Sequence, residues 1–315
     1  MSAAEIVTVT LNPAVDQTLQ VPGLQLGQIN QAHSLRFDAG GKGVNVASVL
    51  ADLGQACAVT GLLGEDNARI FENQFAARGI ADHFIRTPGA TRINVKLNDA
   101  QSGHTTDINL IASAPAADAL VLLRATIAAL CAGAARLFVL AGSLPPGVPT
   151  DFYATLTRDL KTAGKTVVLD TSGAPFAAAL AAAPDLVKPN RHELETWLGR
   201  ALPDRESVID GARALRAAGP ATVIVSLGEE GALLLSEQGC WLACPPKVNV
   251  VSTVGAGDAM VAGWIAATQQ GLTPDQSLRL ATASAAARIS HPDGSLHRAG
   301  LTALAAQVDV QVIGF

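Results

Sequence analysis

Cysteine is scarce in this sequence of 315 residues, with 4 in all: Cys57, Cys131, Cys240 and Cys244. Only the last two are close, and C-x-x-x-C is neither a zinc nor a redox spacing. The pattern excludes a disulfide framework and suits reduced thiols in the cytoplasm. Charge is scarce too, at 16% of residues with a net charge of -5. A nucleic-acid binder normally carries a basic face, so no nucleic-acid partner is expected. A phosphorylated small substrate stays open, because a few local cations suffice to hold it. Long hydrophobic runs are missing. The most apolar stretch, Ala119 to Gly142, is cut by Arg124 and Arg136, so no membrane span is expected. The start, MSAAEIVTVTLNP, has Glu5, no basic region and an immediate strand pattern, so it is not expected to be a signal peptide. Sequence repeats, linkers and low-complexity tracts are also lacking, although 119–135 and 176–183 are rich in alanine.

What is present is a core. Apolar residues make up 49% of the chain, which excludes disorder. The length is compatible with two domains or with one α/β domain. Short apolar runs at 5–11, 56–62, 136–142, 165–171, 184–190 and 221–227 predict strands. Helical patterns lie between them at 43–53, 67–78, 116–132, 150–163, 174–183, 191–198 and 205–218. Helices are also predicted at 257–270, 275–289 and 298–306. Strand–helix alternation predicts a parallel sheet with helices on both faces. In such sheets ligands bind outside the carboxyl ends of the strands, so the loops after the strands are where a site is expected.

One region breaks the alternation. TRINVKLND (91–99) places Ile93, Val95 and Leu97 on one face and Arg92, Asn94 and Lys96 on the other. After DAQSG a second extended run, HTTDINLIA (104–112), completes a hairpin pattern. Leu19 to Phe37 also lacks helical periodicity. Together these segments predict a small second sheet whose apolar face needs a cover, either the ligand cleft or the same sheet of a second subunit.

The chemistry concentrates in a few stretches. In VSTVGAGDAM (251–260), Gly255, Ala256 and Gly257 leave the backbone nearly bare before an apolar helix. Converging N–H groups and the helix dipole suit a phosphate or the charge that moves during its transfer. Asp258, next in line, either caps the helix or accepts a proton from an attacking hydroxyl. An ordinary aspartate has a pKa of about 3.9, which makes it a weak base. AGGKGVN (39–45) is no P-loop, because Gly43 stands where Ser or Thr is required. Met260 likewise breaks a dinucleotide fingerprint and makes a dehydrogenase a weak reading. Gly41, Lys42 and Asn45 either contact a ligand or simply start a core helix. Asp16, in NPAVD, is a turn residue or an acceptor at the ligand edge. Arg92 and Lys96 flank an amide on a strand face that is solvated or grips a phosphate. Asn190 and Glu193, in VKPNRHELE, form a capping box or organise magnesium through water. Thr196 rules out an H-E-x-x-H zinc motif. SLGEEGALL (226–234) reads as a hairpin at the ligand edge.

The motifs AGGKGVN, VKPNxxEL, SLGxxGAL and VGAGD, in this order, resemble the PfkB, ribokinase-like carbohydrate kinases across nearly the whole chain. TLNPAVD, TRINVKLND, AGSLPPG, DTSG and VKPNRHELETWLGR are most similar to the phosphosugar branch. Ser252 stands where many members have Asp, and the phosphofructokinase-like members share that Ser. The resemblance implies an α/β fold, a ribokinase-like three-layer αβα core with a mostly parallel sheet and a small β-sheet lid. It implies one kinase domain over 1–315, with lid strands inserted at about 12–38 and 90–112, and a homodimer formed through the lid. It implies ATP- and Mg²⁺-dependent phosphorylation of the C6 hydroxyl of D-fructose 1-phosphate, or a sister activity on fructose 6-phosphate or tagatose 6-phosphate. A non-catalytic sugar-phosphate or nucleotide sensor is the rival of a different class. By the same resemblance Asp258 is the base, and the N–H groups of Gly255, Ala256 and Gly257 form the anion hole. Asp16, Gly41, Lys42 and Asn45 are sugar contacts. Arg92, with Lys96 and Ser143, clamps the phosphate already present. Lys188, Asn190, Ser226, Gly228 and Gly231 line the ATP site, and Asn190 and Glu193 organise the metal through water.

Overall fold

The first strand is β-branched at every position, IVTVT, and buried throughout. Such a run suits a strand covered on both faces. A computed structural model of the chain describes residues 4–291, 296 and 298–314. From the start, the elements are β1 (Ile6–Thr10), β2 (Ala14–Gln20), β3 (Ser34–Gly40), α1 (Lys42–Asp52), β4 (Cys57–Gly64), α2 (Arg69–Arg78), β5 (Ala81–Asp82) and β6 (Ile85–Thr87). There follow β7 (Ile93–Asp99), β8 (His104–Asn109), α3 (Ala117–Ala132), β9 (Leu137–Ala141), α4 (Phe152–Thr162), β10 (Thr166–Asp170), α5 (Gly173–Leu180), β11 (Leu186–Val187), α6 (Arg191–Leu198) and α7 (Arg205–Ala217). The chain ends with β12 (Thr222–Ser226), β13 (Ala232–Ser236), β14 (Gly239–Cys244), α8 (Ala256–Gln269), α9 (Pro274–Ser290), α10 (Arg298–Ala305) and β15 (Asp309–Ile313).

The main sheet has 11 strands in the order β15-β14-β13-β12-β11-β10-β9-β1-β4-β5, with β6 also on β4. Pairing is parallel from β4 through β12 and antiparallel from β12 to β15. The six apolar runs read from the sequence are β1, β4, β9, β10, β11 and β12. The run at 184–190 pairs only over Leu186–Val187, between Pro184 and Pro189, which cannot donate to the ladder. Side chains alternate between two cores. Ile6 packs with α1, α2, α8 and α9 on one face, while Val7 and Val9 pack with α3, α4, α5 and α7 on the other. Among the described residues, no helix is long and apolar enough to cross a membrane.

The second sheet has 4 strands in the order β3-β2-β7-β8. The extended segment predicted at Leu19 to Phe37 is a strand only at its ends: β2 begins at Ala14, β3 begins at Ser34, and 21–33 form no strand. Across this sheet Asp16 lies beside Asp38 and Asn94, and Lys96 beside Asp107, which makes one face polar. On the other face Val15 and Ala39 pack on the core, while Leu35, Phe37 and Ile108 stay 54%, 46% and 51% exposed.

Candidate active site

Two helix starts meet the carboxyl ends of β1, β9, β10, β11 and β12. The first is α1, whose N-cap is Gly41 at φ 121. A Cβ on Gly43 would lie 2.2 Å from Thr10 Oγ1, so this glycine lets the helix sit directly on β1. The second is α8, capped by Gly255 in the left-handed region at φ 81. As Gly255 is the cap, the first-turn N–H groups that point outward are those of Ala256, Gly257 and Asp258. The N–H of Ala256 leans back towards Thr253 O at 3.4 Å.

Asp258 is 7% exposed, and its Oδ2 accepts a 2.7 Å hydrogen bond from Asn45 Nδ2 on α1. Burial, and then the nearby Asp170 carboxylate, raise its pKa from 3.8 to about 6, against the lowering pull of Asn45, Lys42 and Lys188. The sequence-based expectation of an ordinary carboxyl therefore does not hold, because desolvation disfavours its charged form.

Asp170, at the end of β10, is a residue the motifs did not single out. It is 1% exposed and takes Lys42 Nζ at 2.9 Å and Lys188 Nζ at 3.7 Å on the same oxygen. Burial alone would raise its pKa, but Lys188 and Lys42 outweigh that and hold it below the usual carboxylate value. Lys42 is desolvated, yet Asp170, Asp258 and Glu193 together keep its pKa above the ordinary lysine value. Lys188 is 5% exposed, and its Nζ lies 3.0 Å from where a Cβ on Gly257 would stand. The two lysines thus approach the start of α8 with a shared carboxylate behind them.

Asn190 and Glu193 form a capping box for α6: Glu193 N–H donates to Asn190 Oδ1, and Asn190 N–H donates to Glu193 Oε2, both at 2.8 Å. The other glutamate oxygen, Oε1, is not used by the cap and lies 4.0 Å from Lys42 Nζ. Capping leaves one hard oxygen facing Lys42, which fits magnesium held through water. Among the described residues there is no cluster of three or more His, Cys, Asp or Glu for a directly held metal. Ser226 ends β12 and bridges to Asn190, which places these two side by side. Gly228 turns the chain at φ 63 with open space around it, whereas a Cβ on Gly231 would lie 1.8 Å from Ala243 O. Gly231 is thus required by the packing of its own hairpin.

Arg92 is held by several partners. Its Nε donates to Asn12 Oδ1 at 2.7 Å and its Nη1 to Asn94 Oδ1 at 2.7 Å, with further bonds to Leu110 O and Asn12 O. Asn12 Nδ2 donates to Ser143 Oγ at 3.0 Å, so Arg92 and Ser143 are joined through Asn12. Asn94 Nδ2 in turn donates to Asp16 Oδ1 at 3.0 Å. Lys96 joins this group only at its margin, 3.6 Å from Asp16, and lies 3.5 Å from Asp107. The sequence marks Asn94 as the amide between Arg92 and Lys96, but Asn12, in TLNPAVD, does not stand out, because an amide that braces another side chain has no spacing signature.

The arrangement puts a buried carboxylate of raised pKa, a bare helix start, the buried Lys188 and the half-buried Lys42 on one edge of the sheet. A guanidinium–hydroxyl pair lies on another part of that edge. This is the equipment for moving a phosphoryl group to a hydroxyl. Comparison with known proteins agrees. The profile of the pfkB family carbohydrate kinases matches residues 9–297. The chain is 48% identical over 300 residues to a 1-phosphofructokinase of Xanthomonas campestris pv. campestris, covering 92% of each. It is 49% identical over 280 residues to a 1-phosphofructokinase of Rhodobacter capsulatus, covering 88% of each. The phosphofructokinase-2 of Escherichia coli, solved in complex with substrates and products, superposes with a TM-score of 0.91 at 26% identity over 96% of this chain and 99% of that one. With the family profile matched over residues 9–297, the chain belongs to the pfkB family of carbohydrate kinases.

Proposed function

We propose that this kinase transfers the γ-phosphoryl group of ATP to the C6 hydroxyl of D-fructose 1-phosphate, giving fructose 1,6-bisphosphate and ADP. The observation that carries the substrate is the near-half identity, along 92% and 88% of the chain, to proteins named 1-phosphofructokinase. In this reading Asp16, Gly41, Lys42 and Asn45 hold the sugar so that its C6 hydroxyl faces Asp258. Arg92 and Ser143, braced by Asn12, hold the C1 phosphate, with Lys96 at the margin. Lys188, Asn190, Ser226, Gly228 and Gly231 line the nucleotide side. The C6 oxygen forms its bond to phosphorus as the bond to the β-phosphate oxygen breaks, and the hydroxyl proton passes to Asp258. The first-turn N–H groups of Ala256, Gly257 and Asp258 and the Lys188 ammonium stabilise the charge on the moving group. Glu193 and Asn190 would hold magnesium through water, and it would supply charge neutralisation on the ATP phosphates.

The whole chain is read as one kinase domain, with the small sheet as its lid. The polar face of the lid runs to the site through Asp16 and Arg92, so the cleft does not cover the apolar face. Leu35, Phe37 and Ile108 are left for a second copy of the chain, which makes a homodimer. The four free cysteines suit a cytoplasmic protein. The assay is ADP release with fructose 1-phosphate, fructose 6-phosphate and tagatose 6-phosphate at equal sub-saturating concentrations. A preference for either 6-phosphate would move the chain to a sister activity, and no turnover would sink the kinase reading. Light scattering on the wild type and on Phe37→Asp tests the dimer: the wild type should have twice the mass of the variant.

A further inference from the structure

Arg288 lies in the last turn of α9, in the run TASAAARIS, where nothing in the sequence marks it as functional. The antiparallel packing of α8 against α9 is close enough that a Cβ on Gly263 would lie 2.9 Å from Ala281 Cα. The end of α9 therefore reaches the start of α8. Ile289 O accepts from the N–H of Val251 at 2.8 Å, and Arg288 Nε donates to Val254 O at 3.4 Å. A Cβ on Gly255 would stand 2.9 Å from Arg288 Nε and 3.3 Å from its Nη2. The guanidinium thus flanks Gly255, as the Lys188 ammonium flanks Gly257. Arg288 is partly desolvated, and Asp258, Asp38 and Asp52 are among the carboxylates that act on it.

The charges around the helix start show what this cation contributes. Asp170, Glu193 and Asp258 face Lys42 and Lys188. With Asp258 ionised, as a base has to be, those groups leave one negative charge uncompensated. Asp38 does not add to it, because Arg36 Nε pairs with its carboxylate at 2.6 Å. A triphosphate approaching such a site would be repelled, and a guanidinium beside Gly255 offsets that repulsion. Resting on the kinase reading above, we propose that Arg288 is a further residue of the phosphoryl-transfer site. Its guanidinium is the second cation on the moving phosphoryl group, across the glycine turn from Lys188.

The test uses the whole chain as wild type, Arg288→Gln and Arg288→Lys. Gln keeps an amide donor and loses the charge; Lys keeps the charge. Steady-state turnover should fall by about 10²-fold in Arg288→Gln, as when one donor to developing charge is removed. The KM for fructose 1-phosphate should not change, and Arg288→Lys should recover most of the loss. Calorimetric titration without sugar should show weaker ATP binding to Arg288→Gln and unchanged ADP binding, because only ATP carries the phosphate that reaches the turn. Thermal melts confirm that each variant is folded. Wild-type turnover in Arg288→Gln, equal losses in Gln and Lys, or equal losses of ATP and ADP affinity would each overturn the proposal. A wild-type chain inactive on fructose 1-phosphate would sink only the substrate reading, because the ATP-against-ADP comparison needs no turnover.

Discussion

Replacing Asp258 by Asn should cut turnover sharply and, above neutral pH, make the protein more stable. The carboxyl is buried, and its pKa rises from 3.8 to about 6, first through desolvation and then through Asp170. Each pKa unit corresponds to about 1.36 kcal/mol, so keeping Asp258 ionised in the fold costs on the order of 3 kcal/mol. The folded-state pKa is raised, so the penalty is absent below the ordinary value of 3.8, grows between there and about 6, and is complete above that. An asparagine cannot ionise, and its oxygen can still accept from Asn45. Melts without ligand should therefore put Asp258→Asn about 4 °C above wild type near pH 8, for a chain of this size. The two curves should converge near pH 4. In activity, kcat should fall by at least about 10²-fold, the low end for a positioned base. Wild-type kcat/KM should fall as pH drops through about 6, where the base becomes protonated. A sugar phosphate also titrates near pH ~6, and that could mimic the activity profile. The melt contains no sugar phosphate and is free of that ambiguity. A variant less stable than wild type near pH 8, or a stability gain that persists in acid, would refute the pKa reasoning. Near-normal turnover would remove Asp258 from the chemistry.

Arg92→Ala should raise the KM for the phosphosugar by about 10- to 100-fold, the range for a hydrogen bond to a charged group, and leave the KM for ATP unchanged. A loss confined to ATP affinity in steady-state kinetics would mean that the lid hairpin has been placed on the wrong substrate. Asp170→Asn should lower stability by about 3 kcal/mol, because the buried Lys188 loses the carboxylate at 3.7 Å; a chemical-denaturation midpoint equal to that of wild type would count against the shared ion pair. Gly43→Ala should cost about 1–3 kcal/mol by overpacking, since the new methyl would stand 2.2 Å from Thr10 Oγ1 and 3.3 Å from Val9 O. An unchanged denaturation midpoint would show that α1 can lift off β1 freely.

Much of the architecture was legible in the sequence, because a buried parallel strand leaves a short, continuous apolar run. IVTVT, TVVLD and TVIVS are such runs, and all lie in the parallel part of the main sheet. The far edge was not legible. GCWLAC is short and bounded only weakly by turn residues, and DVQVI carries an outward Val312 that is 76% exposed. In the site, the glycines and Asp258 announce themselves by adjacency. Asp170 does not, because its meeting with Lys42 spans 128 positions and depends on β10 lying where the strand order puts it. Arg288 is hidden for the same reason, since only the return of α9 along α8 brings it to Gly255. The raised pKa of Asp258 was beyond the sequence altogether, because it comes from burial.

Asp170 accepts Lys42 and Lys188 on one oxygen, and in the proposed assignment those lysines serve the sugar and nucleotide sides of the site. A carboxylate shared in this way makes the two half-sites one thermodynamic unit. An anion that draws Lys188 away leaves Asp170 to grip Lys42 more firmly, and an anion that draws Lys42 away does the reverse. Each ligand therefore weakens the hold on its neighbour, and by linkage the factor is the same in both directions. Cross-talk between donor and acceptor is in this sense built into a single buried side chain, with no domain movement required to carry it.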